Sequence, residues 1–526
     1  MTQIVQKFSN LNPILHQKRA LVLLFILFFG LFLRVPFLHL PLLDRNAWRQ
    51  ADTATVARNF YENNFDIFYP QVDWRGATEG YAESEFHVYP FIVAVLYRAF
   101  GVHEVIGRLV SLFFFVLSAV LLFRLAENTF NGGVAIWATL FFVISPLNMH
   151  FSRAFMPTST LVFFSIASIY YFSRWVDEDR AYFFLASLTA TALAVLLKPP
   201  SLYLGLPLLY LAVRKYGKKT FLQWNLWLFA SLVIIPSFIW YHHAHQLFLQ
   251  TGLTFGTTGE GYSKFGNPDY WLSLPFYKTM AKRLLFDILT PPGAFFALIG
   301  FLLVPERKNY VAFWWLVAFG VYIFIMAEGH QRHYYYQVPL VPTLSLYVGQ
   351  GFYYLLEKNL FKDALLLKFI SLKSVLIFLF FLMPLVALVR TSEYRHFAVD
   401  RLTFGKRIQE LTEKDSLVII GGWRKGKHIQ VKYPPRDPID LYFSHRKGWV
   451  IDLDEWTLPR IESLRQQGAR YFVSYYPKGL ELNKTFVQGL NDKYTLLERT
   501  ERWFLYLLDN SPATGFLLPN HSNLKE

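Results

Sequence analysis

Eleven apolar runs, each near the length needed to cross a bilayer's hydrocarbon core, limit what this chain can become. They fall near 20–40, 104–126, 133–150, 157–175, 181–197, 201–213, 221–241, 283–304, 310–327, 338–356 and 369–390. Only Lys198-Pro199-Pro200 separates the fifth from the sixth, so that pair also reads as one broken helix. Charged residues make up 17% of the 526, against about 25% in soluble domains. Aromatics reach 19%, as expected of a chain with many membrane interfaces. The expected fold class is a polytopic α-helical membrane protein of about eleven transmembrane helices.

Charge placement orients the chain. The first run follows Lys7, Lys18 and Arg19 with no small-residue cleavage site after it, and reads as an uncleaved anchor. With the N-terminus inside, Arg124, Arg214, Lys215, Lys218 and Lys219 fall at inner ends. So do Arg307, Lys308, Lys358, Lys362 and Lys368, as the rule for basic loops requires. The net charge of +15 is then explained by inner loops and lipid headgroups, without nucleic acid. Three long polar segments lie outside: 41–103, 242–282 and everything after 390. This gives a membrane domain over 1–390, with interfacial helices in its first outer loop, and an extracytoplasmic α/β domain over 391–526. In the latter, 416–420 and 471–475 read as buried strands, 456–467 as a helix and 494–508 as a strand pair. The absence of cysteine excludes thiol nucleophiles, Fe–S clusters and Cys-ligated zinc.

The first outer loop carries the most chemistry. From Trp48 to Tyr61 there is no Gly or Pro and Ala recurs, which predicts a helix. Trp48, Asp52, Thr55 and Asn59 share one face, and Arg49 lies one turn before Asp52. Arg49 and Asp52 either pair with each other or present an acid and a base at the membrane surface. A partly desolvated carboxylate there can serve as a general base. Further on, Glu83 and Glu85 are expected on opposite faces, so that at most one serves a site. Another interfacial helix is expected over 91–100.

Basic and aromatic residues gather on the same side: Arg153 after the third run, Lys198 before its two prolines, and the 328–339 stretch with His330, Arg332, His333 and Tyr335. With Arg58 and His87 they form a candidate cationic pocket for a phosphate anion. His330 and His333 have no nearby acidic partner, so no metal site and no cofactor are expected.

Trp-Arg-Gln-Ala-Asp-Thr at 48–53 resembles the bacterial membrane glycosyltransferases of the C-type (GT-C) fold. Related runs are Ser-Glu-Phe-His-Val-Tyr-Pro at 84–90, Ser-Pro-Leu-Asn at 145–148 with Ser-Arg-Ala-Phe-Met-Pro at 152–157, Leu-Leu-Lys-Pro-Pro at 196–200 and Arg-His-Tyr-Tyr-Tyr-Gln-Val-Pro-Leu-Val-Pro at 332–342. The group resembled most is that of the protein O-mannosyltransferases and aminoarabinose transferases. Such enzymes move a sugar from a polyprenyl monophosphate, usually with inversion, to an acceptor on the outer face. The resemblance implies that Asp52 is the base on an acceptor hydroxyl. It also implies that Arg49, Arg153, Lys198 and Arg332 hold the leaving phosphate. Relatives often carry a second acid where this chain has Thr158, so Glu83 or Glu85 takes that part or Asp52 works alone. The implied partners are a polyprenyl-phosphate-linked sugar and a lipid, glycan or protein acceptor, in a bacterial inner membrane. A lipid or sugar carrier is the alternative, although carriers place ionisable groups near the midplane and often show internal repeats.

Overall fold

The computed structural model describes residues 18–257, 263–305, 309–357, 365–367, 370–392, 399–422, 437–481 and 483–509. Lys7, Arg307, Lys308, Lys358, Lys362 and Lys368, used above to orient the chain, lie outside them. The chain divides into two compact units. The first comprises Met1–Pro70, Glu83–Gln250 and Thr254–Phe397, and the second Gln71–Ala82, Thr251–Leu253 and Ala398–Glu526.

In the first unit each of the eleven apolar runs is largely helical among the described residues, but they are not eleven straight spans. Among the described residues, four helices are by themselves long and apolar enough to cross a membrane: Lys18–Phe37, Glu104–Thr129, Trp224–Thr251 and Lys373–Ser392. The run expected at 283–304 is bent by 97° between Leu274–Leu289 and Pro291–Leu302. Pro291-Pro292 causes this break, because proline drives the residue before it out of the helical region. Thr290 leaves the helical region with ψ 155°, and its φ of 63° is strain beyond what the proline demands. The run at 133–150 also breaks, into Gly132–Ile144 and Pro146–Phe151. Neither break is visible in hydropathy, which reads composition and not direction.

A fully buried cation of the helical body finds its partners inside the protein, as a lipid environment favours. Arg34 is fully buried and donates to Ser152 Oγ (2.5 Å), Gly30 O (3.0 Å) and Val143 O (2.9 Å). Small residues let the helices approach closely. Pro291–Leu302 and Gly132–Ile144 both pack on Val341–Glu357. A Cβ on Gly300 would lie 2.0 Å from Tyr347 O, and one on Gly349 would lie 2.5 Å from Ala138 N. We expect Gly300→Leu to cost about 1–3 kcal/mol or more through forced separation of two backbones, read as earlier thermal unfolding in detergent. Gly320→Leu, where a Cβ meets nothing within 4 Å, is the matched control and should be near neutral.

The second unit is built on a five-stranded sheet in the order Lys447–Ile451, Leu417–Gly421, Ala469–Ser474, Phe504–Leu507, Thr495–Arg499. The first three strands are parallel and the last two antiparallel. Helix Leu458–Gln466 links the second parallel strand in the chain to the third. Ile419, Trp449, Trp456, Phe472, Phe504 and Tyr506 form much of its core. Part of the 41–103 segment belongs here as well: Gly448 N donates to Asp73 O (3.0 Å), and Gly76 N donates to Gly448 O (2.7 Å).

Candidate active site

The site is built in the first unit around helix Ala47–Glu62, which is buried on nearly every side from Gln50 to Phe60. Its entry is fixed by Gln50, whose amide donates to Asp44 and whose Oε1 accepts from Phe155 N (3.0 Å). That anchoring sets Arg49 and Asp52, one turn apart, toward the 83–90 stretch.

Asp52 is 2% exposed. It lines a cavity of about 20 Å³ with Arg49, Thr53, Glu85, His87 and Phe255. Arg49 Nη2 lies 2.7 Å from Glu85 Oε2, and its guanidinium stands 5.0 Å over the Phe255 ring. So the pairing partner of Arg49 is Glu85, across the loop. Burial works against the charge of Arg49, but Glu85, Tyr335 and Asp52 hold it above the ordinary arginine range. Burial likewise opposes ionisation of Glu85, yet Arg49, Lys198 and Lys264 keep it well below the usual carboxylate range.

A second cavity, of about 30 Å³, is bordered by Arg49, Glu85, Thr158, Lys198 and Tyr335. The third is much larger, about 500 Å³, and begins at Glu85, Lys198, Lys264 and Tyr336. It runs along apolar side chains of Leu202, Leu206, Ala318, Val321, Ile325 and Met326. Lys198 Nζ lies 3.6 Å over the Tyr336 ring, and Lys264 Nζ donates to Phe255 O (3.2 Å). Burial pushes Lys198 down to about 7, with Arg49 and Lys264 adding to the effect against Glu85. Burial also takes Lys264 to about 8. Both amines are thus poised to be held charged by an incoming anion.

The structure gathers only part of the expected set. Asp52, Arg49, Glu85, His87, Lys198 and Tyr335 line these cavities. His87 is neutral, pushed to about 3 by burial, and its Nε2 lies 2.5 Å from Ser84 Oγ. Glu83 is turned away, fully buried, accepting from Thr254 Oγ1 with His245 Nδ1 3.9 Å off. The alternation invoked above is not the reason, since residues two apart share a face of a strand. A bend at Glu85 separates them.

Arg153 is placed elsewhere. It lies 3.0 Å from Asp44, which also faces Arg108 at 3.6 Å. Arg332 pairs with Glu328 at 2.5 Å, one turn back on its own short helix. Arg58 is buried on helix Ala47–Glu62, outside the three cavities. His330 packs its ring 4.5 Å from that of Tyr322, and His333 lies 5.9 Å from Trp48 and 5.4 Å from Tyr335. Neither histidine lines these three cavities, although His333 lies near enough to Lys198, Lys264 and Arg49 to feel their charges.

Sequence reasoning missed Lys264, Phe255, Tyr203, Tyr322 and Tyr336. For Lys264 a signal was present: it is the one basic residue in the glycine-rich stretch from 252 to 266. The tyrosines sit in or beside apolar helices, where nothing in sequence separates a cavity wall from a core.

Two solved structures align with nearly the whole chain. ArnT from Cupriavidus metallidurans bound to undecaprenyl phosphate is 14% identical, covering 94% of this chain and 98% of that one, with a TM-score of 0.58. The archaeal oligosaccharyltransferase AglB from Archaeoglobus fulgidus, in complex with an inhibitory peptide and a dolichol-phosphate, is 11% identical. It covers 96% of this chain and 75% of its own, with a TM-score of 0.55. The chain therefore has the C-type (GT-C) membrane fold of these structures. Residues 87–242 match the family described as dolichyl-phosphate-mannose-protein mannosyltransferase. No curated protein matches by sequence.

Proposed function

We propose that this protein is an inverting glycosyltransferase that moves a sugar from a polyprenyl monophosphate to an acceptor hydroxyl on the outer face of a bacterial inner membrane. The observation that carries this reading is one shared wall. Glu85 links a cavity holding the buried Asp52 to one with Arg49 and Lys198, and to a long apolar cavity headed by Lys198 and Lys264. An apolar groove with two amines at its mouth suits a lipid phosphate. A carboxylate one turn from the arginine suits a base.

In the reaction the acceptor oxygen attacks the anomeric carbon while its proton passes to Asp52. The bond from that carbon to the phosphate oxygen breaks, and the electron pair leaves with polyprenyl phosphate. Arg49, Lys198 and Lys264 meet the charge that builds on the phosphate, inside a site where water is scarce and such contacts count most.

The test of the donor is mass spectrometry of lipids extracted with gently purified wild-type and Asp52→Asn protein. A polyprenyl-phosphate sugar enriched in the variant is the expected result. Bulk phospholipid alone, together with transport of a lipid-linked sugar into liposomes, would favour a carrier.

The lysines give a separate prediction. Undecaprenyl phosphate should bind best where both amines are charged, at about pH 6. Its affinity should fall about tenfold or more by about pH 9 as Lys198 and then Lys264 lose their protons. Lys198→Met should weaken binding at the lower pH and flatten the first part of that dependence, as read by titration of the detergent-solubilised protein.

A further inference from the structure

Among the described residues Glu85 alone borders all three cavities. Its carboxylate is 2.7 Å from Arg49, and Lys198 and Lys264 are the next charges it feels. If Asp52 is the base, a second carboxylate beside the phosphate site is at first sight a liability, because it repels the donor.

A charge count shows what it does; the count rests on the donor reading above. A sugar linked to polyprenyl phosphate is a phosphodiester with one negative charge. The released polyprenyl phosphate is a monoester carrying close to two. After transfer Asp52 carries the acceptor's proton and is neutral, so with the anion bound Arg49, Lys198 and Lys264 supply three positive charges and Glu85 removes one. The remaining two match the product. Without Glu85 the product would sit in a buried cavity with one positive charge in excess, where its release would be slow.

We propose that Glu85 is a built-in counter-ion that governs product release. In the empty enzyme it occupies Arg49. When the phosphate enters, Arg49 turns to it, and after transfer the repulsion between Glu85 and the dianion returns polyprenyl phosphate to the bilayer. Glu85 is thus a positioning residue, acting through Arg49, and it takes no proton.

The experiment measures binding of undecaprenyl phosphate to the full-length protein in detergent by tryptophan fluorescence, with steady-state transfer alongside. Glu85→Gln should bind at least about tenfold more tightly than wild type and release more slowly, lowering kcat and KM together. The double variant Arg49→Gln/Glu85→Gln restores the net charge, and its affinity should return close to that of wild type. Unchanged or weaker binding in Glu85→Gln overturns the proposal. So does a loss of kcat at unchanged KM, which would make Glu85 catalytic. If Glu85→Gln does not assemble, Glu85→Asp, which draws the carboxylate back by one methylene, must show the same tightening to a smaller degree. Wild-type protein that binds no undecaprenyl phosphate would remove the donor reading itself, and this proposal with it.

Discussion

Asp52→Asn should leave an assembled protein whose transfer rate is lower by about 10²–10⁴-fold, the usual size of a general base's contribution. The amide has nearly the same volume, and Arg49 keeps its ion pair with Glu85, so the helix should hold its place. On the proposed mechanism, what it loses is the capacity to accept the acceptor's proton. The measurement is single-turnover transfer beside thermal unfolding in detergent. Lost turnover with an unchanged unfolding temperature is the expected pair of results. Near wild-type turnover would take Asp52 out of the mechanism and leave the cavity without a base.

Asp44→Ala should do the reverse and act first on stability. Asp44 is 2% exposed and holds Arg153 at 3.0 Å and Arg108 at 3.6 Å, with the Gln50 amide donating to it. Burial opposes its charge, but Arg108, His150 and Arg153 together keep its pKa below the ordinary carboxylate value. Removing one partner of a buried charge cluster leaves the others uncompensated, at about 3–5 kcal/mol. Because Gln50 ties this cluster to the start of helix Ala47–Glu62, activity should fall as well. The two variants are told apart by the melt: Asp44→Ala unfolds much earlier and Asp52→Asn does not. A wild-type melting profile for Asp44→Ala would mean that the cluster carries little of the fold.

The cluster also shows where reading the sequence stops. The helix that carries Asp52 was legible, because an alanine-rich stretch without Gly or Pro has few other options. The apolar runs were legible as helices for a similar reason, and the parallel strands at 417–421 and 469–474 as short apolar blocks. Arg153 was not. A lone arginine at a helix end looks the same whether it awaits a phosphate or is held by an aspartate 109 positions earlier. Partner choice over such separations is a property of packing and leaves no local pattern. Lys264 differs in standing out as the one basic residue of its glycine-rich stretch, but nothing in that stretch names Lys198 and Glu85 as its neighbours. Hydropathy also hid the turn at Thr290, where two prolines and not a change in apolarity redirect the chain.

The short segment Gln71–Ala82 makes the second unit discontinuous in the chain. It interrupts a stretch that supplies Asp52 on one side and Glu85 on the other, while its own backbone bonds to Gly448. A modular exchange at the C-terminal boundary would therefore deliver only part of that unit. The incoming sheet would meet a foreign 71–82 strap, and Gly76, which leaves room for the Trp449 ring, would have to suit its new neighbour. The two pieces are therefore one fitting: a change in the strand around Trp449 bears directly on what the 71–82 segment can hold, some 370 residues earlier.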